Sequence, residues 1–208
     1  MSAILPAWAA VTGWLAVHAP ASHATLRPGA TVADVRSTEH ELGAGLPADL
    51  AKLLMTCDGT VDASAHDRDP DEYDPGLFLA QHHLLPLEAI AEVRESTGNA
   101  EQFWGPWVPF AVTDYALPPW GGLAVGTGGR LATFDLASGD PPSEPLTTPG
   151  YRSLNEFLDA LAEILIQGTG PLTAAGVPGI HRGALVWGPL PGDGAPWTPV
   201  HPATGSTG

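Results

Sequence analysis

The sequence predicts a domain that combines α-helices with short β-strands, followed by a Gly/Pro-rich C-terminal tail. Three observations support this organisation. Apolar residues recur at helical spacings of three and four in about five segments. The middle of the chain holds short apolar runs, and two of them flank a glycine-rich turn. From residue 168 onward, 17 of 41 residues are Gly or Pro, so we expect residues 1–167 to form the domain and residues 168–208 an extended tail.

Three helices are predicted in the first 60 residues. The first has Pro6 in its first turn and an apolar stripe formed by Ile4, Trp8, Val11 and Leu15. The second begins at Thr31, with Asp34 at capping-box spacing, and Gly43 suits its C′ position. The third opens at Pro47, stops before Gly59, and turns four residues towards the core: Leu50, Leu53, Leu54 and Cys57.

Two further helices frame a β-rich middle. One is predicted to begin at Pro86 and end at Gly98, and the other begins at a capping box formed by Ser153 and Glu156. Between them, residues 107–112, 123–125 and 131–134 are predicted strands, and residues 126–129 form the turn of a hairpin. Residues 77–80 are apolar and are predicted to form a further short strand.

The charge of the chain excludes several classes of protein. With 23 acidic and 8 basic side chains, the 208 residues carry a formal net charge of -15. An acidic surface repels phosphate backbones, which argues against direct nucleic-acid binding. No apolar run approaches the ~20 residues that a membrane-spanning helix needs. Residues 58–74 hold seven acidic side chains and one arginine, the densest charge in the chain.

Candidate sites for chemistry do not match known motifs. Asp67, Asp69 and Asp71 alternate as in a calcium loop, but Glu72 stands where that loop needs glycine. His82 and His83 are adjacent and lack metal-ligand spacing to another ligand, so we expect no metal and no cofactor. The glycines of residues 126–129 do not continue as a dinucleotide motif. Cys57 falls on an apolar helix face and is expected to be a small buried residue.

Glu39 and the tryptophans leave alternatives open. Glu39 lies between Val35 and Leu42 on an apolar face, where a carboxylate needs a partner. It is either a catalytic acid or, as we favour, a structural acceptor of hydrogen bonds from a loop or helix start. Trp104, Trp107 and Trp120 lie among Pro and Gly and belong either to the edge of the core or to a binding surface.

The order of motifs resembles a known family over about residues 5–167. Its most specific stretch is Glu39-x-x-Leu42-Gly43-x-x-Leu46-Pro47-x-Asp49-Leu50, with Gly59 nine residues later. Residues 26–30, 84–87, 107–111 and 153–158 support the match. The chain is similar to the SUKH superfamily, which includes fungal cell-wall-synthesis regulators and bacterial immunity proteins. Asp58 stands where the family pattern has Asn, and the tail has no counterpart.

The resemblance implies both a fold and a function. The fold is α+β, with a central and mostly antiparallel sheet packed by helices. The function is binding without catalysis: bacterial members neutralise toxins, often nucleases, by direct contact. The resemblance also implies that the residues matching the family's motif are structural: Glu39, Leu42, Gly43, Leu46, Pro47 and Leu50.

Charge and resemblance together predict a surface that covers a basic protein toxin. We expect its contacts to come from the acidic segment and from an aromatic anchor: Asp67, Asp69, Asp71, Glu72, Asp74, and Trp104 or Trp120. An intracellular scaffold or regulator without a toxin partner is the alternative, and an enzyme based on Glu39 and the histidines is the third. A single cysteine and an N-terminus without a basic, signal-like start favour the cytoplasm.

Overall fold

Residues 4–61, 73–143, 152–172, 176–189 and 196–201 are described by a computed structural model. They form an α+β fold, as the sequence predicts, with seven α-helices, a five-stranded antiparallel sheet and a separate three-stranded sheet. None of the helices in these residues is both long and apolar enough to cross a membrane.

Of the seven helices in the described residues, five begin and end close to the predicted residues, and the short helices Pro20–His23 and Ala100–Trp104 were not predicted. Their bounds are α1 Ile4–His18, α2 Pro20–His23, α3 Val32–Leu42, α4 Ala48–Thr56, α5 Leu87–Glu95, α6 Ala100–Trp104 and α7 Leu154–Gln167. The capping box of Thr31 and Asp34 is confirmed, since each side chain accepts a hydrogen bond from the other residue's backbone N–H. Gly43 ends α3 in the left-handed conformation, with φ of 65°, which a glycine adopts without steric cost.

The larger sheet carries the predicted hairpin. Its strands are β1 His83–Leu84, β2 Val108–Val112, β3 Gly121–Val125, β4 Leu131–Asp135 and β5 Asp140–Ser143, and they are hydrogen-bonded in sequence order. A 3-10 turn over Thr127–Gly129 joins β3 to β4, and Val125 pairs with Leu131. The glycine-rich turn is therefore a hairpin connection, as predicted.

The C-terminal segment is not the extended tail that its composition predicts. It forms β6 Val177–His181, β7 Ala184–Gly188 and β8 Thr198–Pro199, in the order β7-β6-β8. Three hydrogen bonds attach this sheet to helix α2 and to the turn before β1: Leu185 N to Ser22 Oγ, Ala21 N to Gly183 O, and Trp187 Nε1 to Phe78 O. The prediction was wrong because these hydrogen-bond partners lie far away in the sequence. They stabilise strands that the local Gly and Pro residues would otherwise weaken.

One hydrophobic core joins the helices to both sheets. α1 packs along α7, and both helices bury apolar side chains in the core: Trp8, Val11, Leu158 and Leu161. Leu172 and Leu185, which follow the predicted domain boundary, are also fully buried in this core. The C-terminal sheet is therefore part of the same domain.

The predicted strand over residues 77–80 is a turn. Leu79 and His82 exchange backbone hydrogen bonds across Ala80 and Gln81, which both have positive φ. The paired strand, β1, starts only at His83. Phe78 and Leu79 are fully buried, so their apolar character reflects core packing of a turn and not strand pairing.

Candidate functional site

Residues 58–74, the acidic segment, are held near their start by hydrogen bonds between Thr60 and Tyr115. The Tyr115 hydroxyl lies 2.7 Å from Thr60 Oγ1 and donates to Thr60 O at 3.0 Å. Thr60 in turn bonds to Leu84 O through both its N–H and its hydroxyl. These contacts fix the start of the segment to β1 and to the loop that follows β2.

The segment returns to the same place at Asp74. One oxygen of its carboxylate accepts a hydrogen bond from Gly76 N at 2.8 Å, and the other lies 3.6 Å from His83 Nε2. His83 is buried, and its ring packs on Tyr115 with centroids 4.5 Å apart. A Cβ at Gly76 would lie 2.7 Å from His83 Nδ1, so glycine is required for this approach. Tyr115 therefore contacts Thr60, near the start of the segment, and His83, which faces Asp74 at its end.

Tyr73 joins this junction to the C-terminal sheet. Its ring lies 5.0 Å from the ring of His181 in β6, measured between centroids. His181 is buried and its Nδ1 donates to Pro196 O at 2.6 Å. The end of the acidic segment is thus held between the two sheets.

The loop from Thr113 to Trp120, between β2 and β3, exposes two large apolar side chains. Leu117 is 59% exposed and Trp120 is 69% exposed. The Asp114 carboxylate holds the loop, because it accepts hydrogen bonds from Ala116 N at 3.0 Å and Trp120 N at 3.2 Å. Trp120 O also accepts from Leu136 N. The backbone that presents Trp120 is therefore fixed at two points.

The predicted contact residues fall into three groups. Asp67, Asp69, Asp71 and Glu72 lie outside the described residues. Asp74 is described, but its side chain is only 13% exposed and is engaged by Gly76 and His83, so it anchors the segment rather than facing outward. Trp120 lies on the surface, on the same loop as Tyr115, and Tyr115 is hydrogen-bonded to the start of the segment.

Trp104 is not available to a partner. Its side chain is fully buried, and its ring makes edge contacts with Phe103 and Phe134. Trp107 is also buried, beneath the guanidinium of Arg130. We therefore correct the choice between Trp104 and Trp120: a partner can reach only Trp120.

The residues of the specific motif make contacts within the domain. Glu39 is half-buried, and its Oε1 accepts a hydrogen bond from Leu46 N at 2.9 Å, in line with the structural interpretation. Leu46 and Leu50 are buried, Leu42 packs against the core, and Pro47 is the N-cap of α4. Asp58 Oδ1 accepts from Leu87 N, the first residue of α5, at 2.9 Å.

The other residues weighed for chemistry are held in structural contacts. His82 Nδ1 lies 2.9 Å from Ala80 O, inside the tight turn, and burial lowers the pKa of this histidine. Cys57 is buried, and burial raises the pKa of its thiol to about 12, far from a reactive thiolate. No group of three or more His, Cys, Asp or Glu in the described part of the chain could hold a metal ion.

Sequence reasoning missed Tyr115, Asp114 and Leu117. Asp114 precedes a stretch with Pro118 and Pro119, and an aspartate at such a position is typical of a side chain that caps a turn. That signal could have identified an ordered loop. The contact of Tyr115 with Thr60 spans 55 positions and has no local signal.

Comparisons with known proteins give no support for a family. No family model matches the chain, and no curated protein matches it. The SUKH resemblance therefore stays a prediction from the motif residues.

Proposed function

We propose that this protein is a non-enzymatic binding domain of the immunity type, which neutralises a basic protein toxin by covering it. The observation that supports this proposal is the position of Trp120. It is exposed on an ordered loop, and Tyr115 of that loop is hydrogen-bonded to Thr60, near the start of the acidic segment formed by residues 58–74.

An exposed aromatic side chain on a loop that is hydrogen-bonded to the acidic segment suits a basic partner. Tryptophan is enriched among the residues that dominate binding energy, because it buries a large area with little loss of side-chain freedom. Leu117, on the same loop, extends the apolar surface. The apolar pair supplies affinity, and the charge of the acidic segment speeds and orients the encounter.

The charge distribution supports the same partner. Residues 58–74 carry seven acidic side chains against Arg68, so they hold a large share of the net charge of -15. A concentrated field of one sign speeds diffusional encounter with a protein of opposite sign. A secreted nuclease is a suitable partner, because nucleases that bind phosphate backbones are commonly basic.

The proposal places this interaction in the cytoplasm. Cys57, the only cysteine of the chain, is a free and buried thiol, which suits a reducing compartment. The SUKH resemblance, with its immunity-type members, is the sequence argument for a toxin as the partner.

The test is recovery of the partner from the native host, followed by an inhibition assay with the purified pair. We expect the wild-type chain to block the partner's toxic activity, and Leu117→Ser with Trp120→Ala to weaken binding by at least tenfold. Val17→Ser with Ile166→Ser is the matched control, since both side chains are exposed on helices α1 and α7.

Equal loss of binding in both double variants would contradict the Trp120 surface. A partner that binds through Trp120 but has no toxic activity would instead favour an intracellular scaffold or regulator of the cell-wall-regulator type.

A further inference from the structure

Arg94 of α5 is a buried cation without a carboxylate partner in the described part of the chain. Its residue is 8% exposed, and Nη1 donates to the backbone oxygen of Trp107 at 3.1 Å. A guanidinium carries five N–H donors, and that single bond to a neutral carbonyl is its only hydrogen bond to a described residue. Burial of a charge is unfavourable unless an opposite charge compensates it. The guanidinium of Arg94 therefore has no paired anion from a described residue.

Arg94 lines a groove that could hold such an anion. The groove lies between the C-terminal end of α3, the helix α5 and the short helix α6, and its volume is about 530 Å³. That volume lies within the ~300–1,000 Å³ of typical small-ligand sites. Three exposed carboxylates also line it: Glu41, Glu95 and Glu101. The groove thus combines one buried cation with several exposed anions.

We propose that this groove binds a carboxylate that is carried on a ligand with a positive charge nearby. The carboxylate would pair with Arg94, whose planar fork matches both carboxylate oxygens. The positive group would lie against Glu41, Glu95 and Glu101. Two sources share this chemistry: the C-terminal residue of a basic peptide and a free basic amino acid.

The acidic lining decides against a phosphate ligand. A phosphate carries more negative charge than a carboxylate and brings no cation, so the glutamates and the net charge of -15 would repel it. A ligand with both signs of charge satisfies Arg94 and the glutamates together.

This site is separate from the Trp120 surface. Arg94 bonds to Trp107, immediately before β2, whereas the loop with Trp120 follows the end of β2. Five strand residues, about 17 Å, separate the two ends. Success or failure at this groove is therefore independent of toxin binding.

The test is calorimetric titration of the full chain with three probes. They are an N-acetylated Gly-Gly-Lys peptide with a free C-terminal carboxylate, the same peptide with a C-terminal amide, and free L-lysine. We expect the free-acid peptide to bind and the amide to bind at least tenfold more weakly, because a charged hydrogen-bonded contact is lost. Binding of free L-lysine as tightly as the acid peptide would assign the groove to an amino acid, and binding of the peptide alone to a chain terminus.

Variants test the assigned residues. Arg94→Gln should abolish binding of the acid peptide, and Glu101→Gln should weaken it. Glu92→Gln should leave it unchanged, since Glu92 is equally exposed on α5 but does not line the groove. Circular dichroism establishes whether Arg94→Gln folds. If it does not, the acid and amide probes with Glu101→Gln still decide. Equal binding of acid and amide, or no binding of any probe at millimolar concentration, would overturn the proposal.

Discussion

The buried hydroxyl of Ser22 accepts a hydrogen bond from the backbone N–H of Leu185 at 2.9 Å, across 163 positions of the chain. Both residues are fully buried. The bond joins helix α2 to strand β7, so the C-terminal sheet is held by a specific polar contact inside the core.

Replacement of Ser22 by Ala should therefore destabilise the whole domain. The N–H of Leu185 would stay buried without an acceptor, which costs about 1–3 kcal/mol. We expect the free energy of unfolding, measured by urea denaturation, to fall by that amount. The control is Ser37→Ala, an exposed position on α3. Equal effects of the two substitutions would show that the Ser22 contact does not contribute.

The five longer helices were predictable because their signals are local, and the C-terminal sheet was not because its stabilising contacts are long-range. Thr31 and Ser153 carry their capping signals within a few residues: the Thr31 box forms in full, and Ser153 accepts from Glu156 N while the Glu156 carboxylate accepts from Arg152 N. β6 contains Pro178 and Gly179, which weaken a strand locally, and its pairing with β7 and β8 compensates. Helices α2 and α6 have four and five residues, too few for a periodic apolar pattern.

The candidate site shows the same division between local and long-range information. Trp104 and Trp120 both lie near Pro and Gly in sequence, yet one is fully buried and the other 69% exposed. Local composition does not separate them, because the burial of Trp104 depends on its packing against Phe134. The side chain of Asp74 is largely covered for a similar reason, since His83 lies opposite it.

Glu39 offers a test between a structural and a catalytic role. Its Oε1 accepts the N–H of Leu46, and an amide oxygen can replace it in that bond. We expect Glu39→Ala to lower the free energy of unfolding by about 1–3 kcal/mol, and Glu39→Gln to lower it by less. Urea denaturation of the two variants measures this order. A Gln variant as unstable as the Ala variant would show that the carboxylate charge, and not the acceptor alone, is required.

Cys57 should be unreactive in the folded protein. Burial raises the pKa of its thiol to about 12, and its Sγ contacts Gly59 O at 3.3 Å. At neutral pH the thiolate is therefore scarce. We expect a thiol reagent such as dithionitrobenzoate to label Cys57 only in urea. Rapid stoichiometric labelling of the native chain would contradict this account of its burial.

His82 should make stability depend on pH. Burial lowers its pKa in the folded state, whereas the unfolded chain has a value near ~6.5. Between the two values the unfolded state binds more protons, so stability rises with pH there. The contribution is complete above the unfolded pKa and is lost as pH falls through the folded one.

A variant without this histidine isolates its effect. We expect the unfolding midpoint of the wild type to fall more steeply than that of His82→Gln between about pH 7.5 and 5.5. All other ionisable groups are the same in both chains and cancel in the comparison. Parallel pH profiles would show that His82 is equally accessible to protons in both states.

Charge steering is the most direct test of the proposed binding surface. Two variants would each remove four negative charges. The first neutralises the acidic segment by Asp67→Asn, Asp69→Asn, Asp71→Asn and Glu72→Gln. The control neutralises exposed helical positions on α3, α5 and α6, by Glu41→Gln, Glu92→Gln, Glu95→Gln and Glu101→Gln.

The two variants have the same net charge, so a difference between them reports where the charge acts. For a basic partner that docks beside Trp120, the first variant should associate about tenfold more slowly at low salt, with a flatter salt dependence. Its dissociation rate should change little, because charges at the rim act mainly on encounter. Stopped-flow association at several salt concentrations measures both rates. If the control slows association equally, only the total charge matters, and the acidic segment is not the docking surface.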